Sequence, residues 1–564
     1  MKRCLILLCL CAGLLAACRP DNPVSAMLER IDSGASRRIA VELVPGGDGD
    51  FFEISSRGRR PLIRGNSYVN IATGLNWYLK YYCGVHLGWN AMRADLPQRL
   101  PLPDTPERHN TDLTLRYDFN YCTFSYSMAF WDWERWEREL DWMALHGVNL
   151  PLAAVGDECV WRNFLLRLGY SEQEVGQILP GPAYLAWFEM NNIEAWDGPL
   201  PEDWYAQQED LQRRILKRMR EFGMQPVLPG YSGMVPHDAA GRLGLDAPDQ
   251  GTWNRIQCPA ILSPTDGRFA EIAAMYYQEQ ERLFGKASFY SMDPFHESKN
   301  SGGVDFAAAG RAVLKAMKDA SPGAKWVIQA WGENPRYEML AALPRGEVLV
   351  LDLFSECRPK WSFQGHDWLF CMLEAFGGRV GLHGRENSGL RGFGYTMESV
   401  EGNPVMYELA SELPWRGTVS LDAWVRDYVF ARYGKRSPAL EEAWSLLSRS
   451  VYDARRPNNQ QGPVESVFCA RPSWTAFRVY ARSRAEQYYD IQDVRRAAAL
   501  MLSAAEEFRD NDNFEYDLVD VVRQAVADRA RELLYDHDTD AFMKALLAQD
   551  RLLGSRREWM LGAW

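Results

Sequence analysis

The sequence predicts an α/β protein: a (β/α)8 TIM-like barrel with a small α/β domain before it and an α-helical domain after it. Two observations predict this. Between residues 113 and 396, short apolar runs of strand length alternate with amphipathic helical patterns, and from about residue 421 the strand-like runs cease. A third disfavours the main alternative, a doubly wound open sheet, because no G-x-G-x-x-G follows any expected strand.

Taken in order, the chain opens with Met1-Lys-Arg, an apolar stretch at 4–15 and the sequence Leu15-Ala-Ala-Cys18. A charged start, a short apolar run and small residues at the end predict a signal peptide at 1–17, too short to span a bilayer. Leu-Ala-Ala-Cys resembles the bacterial lipobox. That implies lipidation of Cys18, a tether at 18–23, export, and attachment to a bacterial membrane (periplasmic or at the cell surface) through the lipid alone. Residues 24–110 read as the N-terminal domain, with alternating strands at 39–44 and 50–55, a helix over 66–82, and a proline-rich linker at 100–106. The barrel is expected over 111–415, with strands near 114–119, 148–154, 225–229, 288–293, 326–330, 347–353, 367–373 and 391–396. Its helices are clear where Trp133, Trp136, Leu140 and Met143 share one face, and over 203–222, 267–284 and 304–320. Residues 416–564 read as the helical domain, with helices at 421–433, 438–451, 473–487, 491–508, 514–535 and 538–552. A Pro/Asn/Gln-rich loop at 456–463 is placed to face the active site.

Composition narrows the partners. The net charge is −12, and −14 once residues 1–17, with Lys2 and Arg3, are removed; no basic cluster tracks a phosphate backbone, which argues against nucleic acid. The cysteines left after Cys18 are widely spaced, with no C-x-x-C, and the histidines form no H-E-x-x-H, so neither a metal nor another cofactor is expected. Aromatic residues are abundant, with 21 Trp, 25 Tyr and 24 Phe. Flat apolar rings in loops match sugar faces, which brings in a glycan as the ligand.

The chemistry gathers at the expected strand ends. They carry Asn120-Tyr-Cys-Thr-Phe-Ser-Tyr126, Gly156-Asp-Glu-Cys-Val-Trp161, His296-Glu297, Gln329-Ala-Trp331, Asp352-Leu-Phe-Ser-Glu356 and Thr396-Met-Glu398. An acid-rich, Trp-rich rim without metal ligands or a phosphate loop fits glycoside hydrolysis, which needs one protonated carboxyl and one carboxylate. On pattern alone, Glu158, Glu297, Glu356 and Glu398 compete for those two roles.

Longer runs decide among them. Ser125-Tyr-Ser-Met-Ala-Phe-Trp-Asp-Trp-Glu-Arg-Trp, Gly181-Pro-Ala-Tyr-Leu-Ala-Trp187, Trp196-Asp-Gly-Pro-Leu-Pro201, Gly223-Met-Gln-Pro-Val-Leu-Pro229 and Cys371-Met-Leu-Glu-Ala-Phe-Gly-Gly378 resemble the α-N-acetylglucosaminidases of glycoside hydrolase family 89. The resemblance implies removal of terminal α-linked N-acetylglucosamine with retention of configuration. It also implies Glu297 as general acid/base and Glu398 as nucleophile, with Asn120, Cys122, Tyr126, Trp187, Met190, Trp253, Trp331 and Phe376 around the sugar. His296 stands where the resemblance leads one to expect Asn, and is expected to hydrogen-bond a hydroxyl or Glu398. For retention the two carboxyl groups should lie about 5 to 5.5 Å apart. The family's helical domain runs on beyond the motif at Leu561-Gly-Ala-Trp564, so this domain is expected to be incomplete. The alternatives carried forward are a retaining exo-glycosidase of other specificity and a glycan-binding surface lipoprotein without turnover.

Overall fold

The structure is a computed structural model that describes residues 22–297, 303–360, 363–373, 389–417, 419–453, 466–471, 473 and 487–560. Cys18, Phe376, the loop at 456–463 and nearly all of the helix expected at 473–487 therefore lie outside the described residues. The tether expected at 18–23 overlaps a helix, Pro23–Ile31. Asn22 caps it by accepting from Ser25 N, and Val24, Met27, Leu28 and Ile31 give it a buried face.

In the N-terminal domain a four-stranded sheet packs on the helix Tyr68–Tyr81, in the order Ala40–Leu43, Arg60–Gly65, Asp50–Arg57, Glu107–Thr111. Two of these strands escape the sequence reading for physical reasons. Arg60–Gly65 contains a proline, which cannot donate to a ladder. Glu107–Thr111 is an edge strand of polar residues with no apolar alternation to reveal it.

The barrel has the eight expected parallel strands: β1 Leu115–Asp118, β2 Leu150–Pro151, β3 Val227–Pro229, β4 Phe289–Ser291, β5 Lys325–Gln329, β6 Val348–Asp352, β7 Asp367–Met372 and β8 Leu390–Tyr395. β2 and β3 are shorter than expected, and a single parallel bridge, Leu152 to Val227, joins them and closes the ring. β8 returns to β1 in the register Gly392–Leu115, Phe393–Arg116, Gly394–Tyr117, Tyr395–Asp118. Its alternating glycines are what permit this. A Cβ at Gly392 would lie 1.6 Å from the Leu115 carbonyl oxygen, and one at Gly394 would lie 2.6 Å from Cys371 Sγ.

A buried charge network locks the barrel to its neighbours. Lys80, on the N-terminal domain's helix, lies 2.6 Å from Glu408 and also pairs with Glu412, both on the helix Pro404–Arg416 that follows β8. Glu408 further contacts His146 at 2.5 Å and His86 at 3.1 Å, while Arg416 and Trp424 donate to Glu412. Burial would raise the pKa of Glu408, but Lys80, then His86 and His146, hold it well below the usual carboxylate range. The helices Leu421–Tyr433, Pro438–Arg449, Ile491–Ala504, Asp512–Tyr535 and Thr539–Leu553 form the C-terminal domain. The buried Arg432–Asp517 pair, at 2.8 Å, joins two of these helices, and Arg432 Nη1 also donates to His86 Nδ1 of the N-terminal domain at 3.0 Å. No helix among the described residues is long and apolar enough to cross a membrane.

The tight seam is testable. Gly392→Ala is expected to lower unfolding free energy by about 3 kcal/mol or more. Gly241→Ala sits in a helix with nothing near its Cβ and is expected to be neutral or stabilising by up to about 1 kcal/mol. Equal urea midpoints for the two variants would contradict the close approach.

Candidate active site

β4 ends at Ser291 and the chain turns at Asp293-Pro294 to present His296 and Glu297. The turn is braced from within: Asp293 Oδ1 accepts from the Gln329 backbone N–H at 2.9 Å and from Asn334 Nδ2 at 2.8 Å, and His296 N donates to the Asp293 carbonyl. Glu297 reaches solvent, and two donors fix its carboxylate. Asn192 Nδ2 reaches Oε2 at 2.8 Å and Trp331 Nε1 reaches Oε1 at 3.3 Å. Trp331 follows the end of β5 and packs near Phe354.

Glu398 leaves the end of β8 on the same barrel face, in a loop stitched to the one that leaves β1. Phe119 N donates to the Tyr395 carbonyl at 2.8 Å, Asn120 Nδ2 to Thr396 O at 3.2 Å, and Thr123 Oγ1 to Met397 O at 2.5 Å. Asn120 also caps the helix Tyr121–Tyr126 by accepting from Cys122 N, so its side chain works as a strut between the two loops. Cys122 is buried in the field of both Glu398 and Glu297, and burial followed by those two charges drives its thiol pKa upward. Tyr126, half exposed, has its phenol raised to about 12 by burial and then by Glu398. Glu398 itself reaches solvent but is walled by protein, as a carboxylate lining a cleft is. Burial first, then the charge of Glu297, raise its pKa. The two glutamates thus share one electrostatic neighbourhood.

Met190, Trp253, His296 and Glu297 line one cleft. Trp253 is held there by a two-residue hairpin whose central residues, Asn254 and Arg255, both have positive φ, and Trp187 sits on the short helix just before Met190. Burial pushes the His296 imidazole pKa down, against Glu297 and with help from Lys360; its Nδ1 is buried without a partner among the described residues. The other two acids read from the pattern act inside the protein: Glu158 accepts from Trp204 Nε1 at 2.6 Å and Glu356 from Leu373 N at 2.8 Å. Sequence reasoning missed Asn191 and Asn192. Their signal was the polar pair that stops the helix Leu185–Glu189 immediately after Trp187 and Met190. Among the described residues no group of three or more His, Cys, Asp or Glu is arranged to hold a metal ion. Glu297, beside a cleft that holds Trp253, and Glu398, within reach of its charge, lie on one barrel face, and such a pair can protonate one side of a glycosidic bond and attack the other.

Comparison with known proteins gives the same direction. Family models match in three consecutive blocks: the α-N-acetylglucosaminidase (NAGLU) N-terminal domain over residues 22–102, its TIM-barrel domain over 116–417 and its C-terminal domain over 424–564. Human α-N-acetylglucosaminidase is 36% identical over 90% of this chain and 74% of its own. A family 89 glycoside hydrolase from Clostridium perfringens superposes with a TM-score of 0.91 at 32% identity. That structure is a variant with two glutamates replaced by glutamine, in complex with its substrate GlcNAc-α-1,4-galactose. The same enzyme with 2-acetamido-1,2-dideoxynojirimycin gives 0.91 at 33% identity. The match covers 96% of this chain and 66% of the bacterial one, so this chain spans just under two thirds of that relative's length.

Four buried acids give a pH signature. Burial raises Asp157, Glu158, Glu194 and Asp293 each to about 7. The folded protein therefore binds more protons than the unfolded chain between about pH 7 and the ordinary carboxylate range near pH 4, and acidification through that window favours folding. His86, lowered to about 4, and His296, also lowered by burial, oppose this as a minority. The melting temperature is expected to be higher near pH 5.5 than near pH 8, at roughly constant ionic strength; the reverse order would contradict these burials.

Proposed function

The chain belongs to the α-N-acetylglucosaminidase family, glycoside hydrolase family 89, and from that premise we propose that it removes terminal α-linked N-acetylglucosamine from glycans by a retaining, two-step displacement. The observation that carries the reading is the pairing of Glu297 and Glu398 on one barrel face, where the charge of one raises the pKa of the other. In an α-linked N-acetylglucosaminide the 2-acetamido group is cis to the leaving group and cannot attack the anomeric carbon from behind. The protein must supply that nucleophile.

In the proposed sequence Glu297 protonates the glycosidic oxygen as Glu398 attacks C1 and the C1–O bond breaks. Glu297, now a carboxylate, then takes a proton from water as that water displaces Glu398. Burial and then the charge of Glu297 raise the proton affinity of Glu398, which taken alone would suit an acid. The bound sugar reverses this. A glycosidic oxygen facing Glu297 accepts a hydrogen bond from its protonated form, and the partial positive charge at C1 favours ionised Glu398. One proton on the pair, moved by substrate, serves both steps.

We propose further that the protein is exported and held at a membrane by lipid on Cys18, on the strength of Leu15-Ala-Ala-Cys18. Cys18→Ser is expected to move the protein from the membrane fraction to the soluble one; unchanged partition would remove the proposal.

For the chemistry, Glu398→Ala should lower kcat on the 4-nitrophenyl α-N-acetylglucosaminide roughly 10⁴-fold. Added azide should restore turnover and yield the β-glycosyl azide; an α-azide would exchange the two roles. Because Glu398 must be ionised, kcat/KM should fall on the acid side at a higher pH than an ordinary carboxylate gives. Because the active form keeps Glu297 protonated, Glu297→Gln should leave the acid limb in place and remove the fall on the basic side. A basic limb that persists unchanged would contradict the pairing.

A further inference from the structure

We infer that Asp293 is a positioning residue for the catalytic acid: its carboxyl group ties the loop that carries Trp331 to the loop that carries Glu297, and so sets the indole hydrogen bond on Glu297. This rests on the catalytic reading above. Asp293 is buried at the start of the turn after β4. The first donor to its Oδ1 is the backbone N–H of Gln329, the last residue of β5, at 2.9 Å. The second is Asn334 Nδ2 at 2.8 Å, and the same amide donates to the Gln329 carbonyl at 2.7 Å. Residues 329–334 are thus pinched into a closed turn at one carboxyl oxygen, and Trp331 stands within that turn.

Other bonds shape the turn without docking it on β4. Trp331 N donates to Gln329 O at 3.2 Å, and Asn334 N to Trp331 O at 2.9 Å. Lys360 Nζ, from the loop after β6, reaches Gly332 O at 2.7 Å and Asn334 O at 2.9 Å. Asp293 holds the turn to the loop after β4, and the same residue shapes that loop: its carbonyl accepts from His296 N at 3.2 Å. One residue therefore acts on both partners of the 3.3 Å contact between Trp331 Nε1 and Glu297 Oε1. Asn192 supplies the donor to Oε2. With a donor on each oxygen, the plane of the Glu297 carboxyl is set; loss of the Oε1 donor frees it to turn.

A carboxyl group in this position calls for a cause. Burial raises its pKa to about 7, although the Gln329 N–H and the Asn334 amide both oppose the rise. An apolar side chain would escape that penalty. The bonds at Oδ1 supply the cause, because a general acid acts only when its proton faces the leaving oxygen, and misplacement by about 1 Å costs about 100-fold in rate. Oδ2 has no partner among the described residues, and Asp293 lines a small polar chamber with Ser291 and Glu189. An amide nitrogen in place of Oδ2 would still stand among polar groups.

The test separates protonation from the other demands of the reaction by leaving group. A disaccharide with α-linked N-acetylglucosamine at its non-reducing end needs the acid; the 4-nitrophenyl glycoside needs it much less. Asp293→Ala should lower kcat/KM about 100-fold on the disaccharide and less than about fivefold on the nitrophenyl glycoside. Trp331→Phe should give a split in the same direction, and the double variant should show little more of it than the worse single one. Asp293→Asn keeps an oxygen for both donors and should restore most of the loss. Equal losses on the two substrates, or splits that multiply in the double variant, overturn the inference, because a defect of folding or of sugar binding does not depend on the leaving group. If Asp293→Ala does not fold, Asn334→Ala is read in the same way, with a split of about tenfold expected. Glu297→Ala is the control for the reading underneath. If it spares the nitrophenyl glycoside and Asp293→Ala does not, only this inference fails. If Glu297→Ala harms both substrates equally, the acid assignment fails and takes this inference with it.

Discussion

At Gly392 the closing strand of the barrel lies so near Leu115 that a methyl group has no room, and that closeness brings the end of β8 against the loop leaving β1. The placement of Glu398 follows from this contact. Once Tyr395 and Phe119 are hydrogen-bonded, Asn120 and Thr123 can reach the carbonyls of Thr396 and Met397 and fix the backbone that carries Glu398. The network around Lys80, Glu408 and Glu412 then holds the next helix against the N-terminal domain, so the seam is braced from behind as well as across. A carboxylate on a loop tied at both ends needs little reorganisation when charge develops opposite it.

The second carboxylate is placed by different means. Glu297 stands four residues beyond Asp293, which Asn334 braces, and is gripped by an amide and an indole from two other loops. The charge of Glu297 reaches Glu398 and raises its proton affinity. A site whose single proton can be moved by the ligand supports an acid and a nucleophile from two chemically identical side chains.

Much of this was legible in the sequence because barrel strands are buried on both faces and read as apolar runs, while their helices keep a clear period. All eight strands and the helices at 133–145, 204–222, 269–284 and 306–320 could be located that way. The proline-bearing strand at Arg60 and the polar edge strand at Glu107 could not, since neither presents an apolar alternation. Within the site, acids and tryptophans at strand ends announced themselves. Asn192 did not, because its value lies in a hydrogen bond to a residue far along the chain, and one sequence carries no record of that contact. The roles of Glu297 and Glu398 came from family resemblance; spacing alone left four acids in competition.

The most direct measurement is capture of the intermediate. Glu297→Ala, incubated with the 4-nitrophenyl α-N-acetylglucosaminide, keeps a leaving group that needs no acid but loses the base that activates water. Intact-protein mass spectrometry should then show one N-acetylhexosaminyl group added, and peptide mapping should locate it on Glu398. An adduct on any other residue, or a nitrophenol burst with no adduct, would contradict the account.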